Sequence, residues 1–171
     1  EHANSILIKV LEDSNQEPMV RHEAAEALGA IGSTNATAIL EKYLKDNTVE
    51  VAETCELALD RITWLNSPES KEISLKSPYN SVDPAPPSAC TDIAQLKNVL
   101  LDETASLFER YRAMFALRNI NSKESIQALG EGLKCKSALF KHEIAFVFGQ
   151  IQNENSVYYL KQSLEDCSEN E

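Results

Sequence analysis

A chain of 171 residues, 43% hydrophobic and with only five glycines and six prolines, is long enough to bury a sizeable helical core. Its net charge of −11 argues against nucleic acid, whose phosphates would be repelled, and favours a cationic ligand or partner, although on charge alone plain solvation of a helical surface is the commoner reason for such an excess of acids. No apolar run approaches the roughly 20 residues that span a bilayer, so no membrane partner is expected, and four scattered cysteines without C-x-x-C spacing suit a reduced, cytoplasmic protein.

Residues 1–13 read as an amphipathic helix. Pro18 opens a second helix that runs to Ile31, and a shorter amphipathic segment covers Thr37 to Leu44. Ala52 to Ile62 is a further helix, with Cys55 at a core position. From about Asn66 to Thr91 the periodicity disappears, and Ser77 to Pro87, with four prolines, reads as extended chain. Helical patterns resume at Arg110–Ile120, Ser125–Leu133, Lys136–Ile151 and Ser156–Leu164. The longer helices share a step of 31 residues, between His22 and Glu53 (53 − 22) and between Tyr111 and His142 (142 − 111). A second helix follows three of the four. No stretch alternates with period two, so no strand is expected.

A fixed step of this size with two helices per unit predicts an all-α fold, a HEAT-type α-solenoid of helical-hairpin repeats. It falls into two blocks, 1–65 and 92–171, joined by a Pro-rich linker at 66–91. Residues 1–13 resemble a second helix without its first. The last residues, Leu164-Glu165-Asp166-Cys167-Ser168-Glu169-Asn170-Glu171, echo Leu11 to Glu17, which lead into the Pro18 helix. The pattern therefore predicts a segment of a longer array.

One phrase occurs twice. Gln16 to Ile31 returns as Lys136 to Ile151, and two of the three histidines stand at equivalent points, each followed by glutamate: His22-Glu23 and His142-Glu143. At about 100° per residue, Val20, Ala24, Ala27, Leu28 and Ile31 form one stripe, as do Phe140, Ile144, Val147, Phe148 and Ile151. The histidines then lie opposite the core, beside Ala25 and Gly29 or Ala145 and Gly149, whose small size leaves space beside each imidazole. In the plain repeats Tyr111, Met114 and Arg118, or Glu53, Glu56 and Asp60, fill that space. A single His-Glu pair on a helix is commonly a surface ion pair, and a helical glycine also serves close packing. A paired occurrence points to metal ligands on the inner, binding face of the solenoid. Neither copy is H-E-x-x-H, and imidazole with carboxylate suits non-haem iron or manganese better than structural zinc.

The stretches 18–31, 51–58, 81–87, 107–118 and 139–143 resemble deoxyhypusine hydroxylase, and the likeness runs over essentially the whole chain. The resemblance implies a HEAT-repeat, non-haem di-iron monooxygenase that hydroxylates the deoxyhypusine side chain of translation initiation factor five A to hypusine. It implies two Fe(2+) per full-length protein, O2 as co-substrate and metal ligands at His22, Glu23, His142 and Glu143. Glu143 matches a glutamate that either holds metal or binds the substrate amine. The family has two further His-Glu motifs outside this chain, so the chain alone is expected to hold iron weakly and to be inactive. The alternative is a non-enzymatic acidic HEAT scaffold that binds a basic protein partner.

Overall fold

A computed structural model describes residues 2–71 and 77–167, so the part of the expected linker at 72–76 and the terminal echo at 168–171 lie outside it. Among the described residues there are nine α-helices and no strand. They are α1 (His2–Glu12), α2 (Pro18–Ile31), α3 (Thr37–Tyr43), α4 (Val49–Leu65), α5 (Ile93–Leu101), α6 (Leu107–Ile120), α7 (Lys123–Gly132), α8 (Ala138–Ile151) and α9 (Glu154–Glu165). The chain divides into two compact units, Glu1–Ala85 and Pro86–Glu171.

Local chemistry sets the helix ends. Pro18, whose ring presets a helical φ, opens α2, and Gly32 closes it at φ 71°, a left-handed conformation that glycine adopts without a Cβ penalty. The Ser137 side chain caps α8 by accepting from the Phe140 N–H at 3.1 Å. Ser122 and Ser125 cap α7 reciprocally. Asp92 caps α5 through the N–H groups of Ala94 and Gln95. That helix was not anticipated from periodicity. It gives the second unit a lone leading helix just as α1 gives the first.

In the first unit α2 packs between α1 and α4, over a core that includes Leu11, Ala25, Leu28, Leu40, Val51 and Cys55. In the second unit α6 packs on α8, and α5, α7 and α9 line up beside them. The repeats are fastened by matching arginines. Arg21 Nε donates to the Leu11 carbonyl and Arg110 Nε to the Leu100 carbonyl, each at 3.0 Å and each reaching back to the end of the preceding helix. Arg21 continues to Asp46 with two hydrogen bonds of 3.2 and 2.5 Å, a forked pair in which the arginine is buried and the aspartate partly so.

The Pro-rich segment belongs to the first unit as far as Ala85. Pro84 and Ala85 are buried. Arg61, itself buried on α4, donates to the Asp83 carbonyl. Pro84 also lines a small recess with Glu26, Gly29, Leu57 and Arg61.

Candidate metal centre

The repeated phrase folds twice into a helix, but the two copies bury different faces. On α8 the expected stripe holds: Phe140, Ile144, Val147, Phe148 and Ile151 are all buried. On α2 it does not. Val20 is 43% and Ile31 49% exposed, whereas His22 is 4% and Ala25 0% exposed. The cause is which neighbour each helix has. Among the described residues α2 has a later first helix, α4, on its His22–Ala25–Gly29 side. Conversely α8 has an earlier one, α6, on the side where Leu139 and Glu143 project.

The small residues therefore serve two ends. A Cβ placed on Gly29 would lie 2.8 Å from the Cα of Ala58, so this glycine serves the close approach of α4. At the first copy, then, the space expected beside Gly29 is taken up by Ala58. At Gly149 a Cβ would meet nothing within 4 Å, and there the face is open as expected.

His22 Nε2 stands 3.6 Å from Glu23 Oε1 and 3.0 Å from Met19 Sδ. Two metal–ligand bonds of about 2.1 Å span at most about 4.2 Å, so these two donors are close enough to share one ion. The Glu23 side chain is 63% exposed, while the imidazole is only 5% exposed. On α8 the balance is reversed: His142 is exposed and Glu143 buried. Among the described residues no three His, Cys, Asp or Glu side chains converge tightly enough to hold a metal. Of the two His-Glu pairs, His22 and Glu23 bring two donor atoms within reach of a single ion.

The surroundings are acidic. Glu26, one turn beyond Glu23, is pushed up to about 7, first by burial and then by the Glu23 charge, with Arg61 pulling the other way. Glu53 is half-buried and Glu56 exposed. In the plain repeat of the second unit Tyr111, Met114 and Arg118 do fill the face, each at most 1% exposed, and Arg118 Nη1 reaches Gln150 Oε1 on α8 at 2.8 Å. Sequence reading missed Arg21, Arg61 and Arg110 as buried fasteners. The equivalence of Arg21 and Arg110 within the repeat was the signal available for two of them.

Comparison with known proteins agrees with this architecture. A profile described as HEAT repeats matches residues 1–60, and one described as PBS lyase HEAT-like repeat matches residues 109–135. The deoxyhypusine hydroxylase of Drosophila pseudoobscura pseudoobscura is 57% identical over 99% of this chain and 56% of its own length. That of Danio rerio is 54% identical over 99% and 56%, and that of Homo sapiens 53% identical over 96% and 54%. The solved structure of human deoxyhypusine hydroxylase in complex with glycerol superposes with a TM-score of 0.93 at 52% identity, over 99% of this chain and 58% of that one. The chain spans about half the length of the curated relatives it matches. Over the part it spans, the likeness in sequence and fold places this chain in the deoxyhypusine hydroxylase family.

Proposed function

We propose that the chain is part of a non-haem di-iron monooxygenase of the cytoplasm that converts the deoxyhypusine side chain of translation initiation factor five A to hypusine. The observation that carries this reading is the likeness to deoxyhypusine hydroxylases over 99% of the chain. The approach of His22 Nε2 to Glu23 Oε1 adds chemical support. The acidic scaffold is the weaker alternative, because it leaves that likeness unexplained.

In this reading residues 1–65 close an N-terminal HEAT half and residues 92–171 open a C-terminal one, with 66–91 joining them. His22 and Glu23 hold one iron. His142 serves the other, and Glu143 either completes that set or takes the substrate amine. Iron, when bound, supplies the activation of O2 needed to place a hydroxyl on an unactivated carbon. The protein's own groups do the rest. Burial restrains the His22 ring, so little ordering remains when metal arrives. The negative charge of the chain draws in the cationic aminobutyl arm and the basic loop that presents it.

The test is replacement of His22 or His142 by alanine in the full-length protein, followed by iron analysis and hydroxylation of a deoxyhypusine-bearing substrate. Loss of iron together with loss of product supports the reading. Full iron content and undiminished product would favour the scaffold.

A further inference from the structure

Met19 lies in the first turn of α2, three residues before His22, so both side chains project from one side of the helix. Its Sδ stands 3.0 Å from His22 Nε2, the same nitrogen that lies 3.6 Å from Glu23 Oε1. A thioether sulfur accepts hydrogen bonds and donates none, so in this contact Nε2 is the donor and carries the ring proton. An imidazole nitrogen has one direction, in the plane of the ring, along which it holds either a proton or a metal. A hydrogen-bond acceptor near that direction therefore stands where the metal must come. An ion about 2.1 Å from Nε2 would collide with a sulfur only 3.0 Å out.

The sulfur can either join the ion or leave. Thioether suits soft ions such as Cu(I), whereas imidazole and carboxylate suit iron, so leaving is favoured. Met19 is also built to leave: it is 51% exposed, unbranched and has three rotatable side-chain bonds. The second copy of the phrase lacks this arrangement. Leu139 stands at the place of Met19, 120 positions on (139 − 19), as His142 does for His22 (142 − 22). Leu139 is buried and aliphatic, with no atom that accepts a proton.

Resting on the metal-centre reading above, we infer that Met19 is a gate at His22: its thioether holds Nε2 and must swing away before metal binds. The Nε2–H···Sδ bond breaks and the side chain turns toward solvent. The ring proton passes from Nε2 to Nδ1 by way of water, so the imidazole stays neutral and offers the Nε2 lone pair. Giving up one hydrogen bond of ordinary strength lowers metal affinity about fivefold. Because Leu139 makes no such bond, the His22 position fills after the His142 position.

The test uses the full-length protein stripped of metal and mixed with ferrous iron alone under argon, uptake being followed against a chromophoric chelator. The wild type should fill in two phases. Met19→Leu, which keeps the bulk but not the sulfur, should bind the slower iron about fivefold more tightly. His22→Ala should lose that phase. Nitrogen-15 spectra of the metal-free chain should place the His22 proton on Nε2, its proton resonance moving upfield in Met19→Leu as the hydrogen bond is lost. A Met19 that only fills space would leave that resonance unmoved. Iron bound no more tightly by Met19→Leu, or a wild-type ring protonated on Nδ1, would overturn the gate while leaving the metal centre standing. Undiminished iron uptake by His22→Ala would overturn the metal-centre reading and the gate with it.

Discussion

Gly29 and Gly149 occupy equivalent positions of one repeated phrase, yet alanine should act on them with opposite sign. At Gly149 a methyl group meets nothing within 4 Å. The substitution there removes the entropic penalty of a helical glycine, a gain of about 0.8–1 kcal/mol. At Gly29 the same gain is available, but the methyl would sit 2.8 Å from both Cα and Cβ of Ala58. Ordinary carbon contacts lie at about 3.5–4.0 Å, so α2 and α4 must separate by roughly 1 Å, and no rotamer change relieves a backbone atom. Overpacking of this kind costs about 1–3 kcal/mol. Because the propensity gain is common to both, the difference between the two variants isolates that packing cost. Urea unfolding measures it. Trp64, the single tryptophan and buried on α4, reports the first unit by fluorescence, and circular dichroism follows the whole chain. Gly149→Ala should raise stability and Gly29→Ala lower it. If Gly29→Ala is as stabilising as Gly149→Ala, the close approach of α2 and α4 is wrong.

Asp46 is held below the usual carboxylate range, first by its hydrogen bonds from Arg21. Its contribution is therefore present above the unfolded value and is lost as acid carries the pH down through the folded one. Asp46→Asn should cost about 2 kcal/mol at neutral pH and progressively less in acid, as read from urea midpoints. Glu26 has the opposite sign: raised from 4.5 to about 7, it penalises the fold once ionised. Glu26→Gln should stabilise the chain by up to about 3 kcal/mol above pH 7, the benefit fading as the pH falls toward 4.5. Arg61→Ala should release the Asp83 carbonyl, and limited proteolysis should then cut near Pro84 faster while the wild type resists.

The helical-hairpin order was legible because apolar spacing of 3–4 residues and the 31-residue step are written directly into the chain. The rotation of α2 was not. Periodicity sees mainly large apolar residues, and the buried positions of α2 include Arg21, His22, Ala25 and Gly29, the last of them against Ala58 of α4. Val20 and Ile31 belong to the apolar stripe, yet no described first helix lies over them. On α8 large apolar side chains dominate, and there the stripe and the burial agree. Helix α5 was overlooked because it lies outside the series of matched helices at the 31-residue step, although Asp92 before an apolar run and the closing Leu100-Leu101-Asp102 were both visible. The proline cluster suggested a tether. The buried Arg61 that fastens it looks from spacing like any polar residue of a helix surface.

The most direct measurement is iron content beside hydroxylation yield in the full-length protein, for the wild type and for His22→Ala and His142→Ala. Near two irons per chain are predicted for the wild type, with about one lost and turnover abolished in either variant. Either variant keeping both its iron and its product would contradict the assignment of these helices to a metal centre.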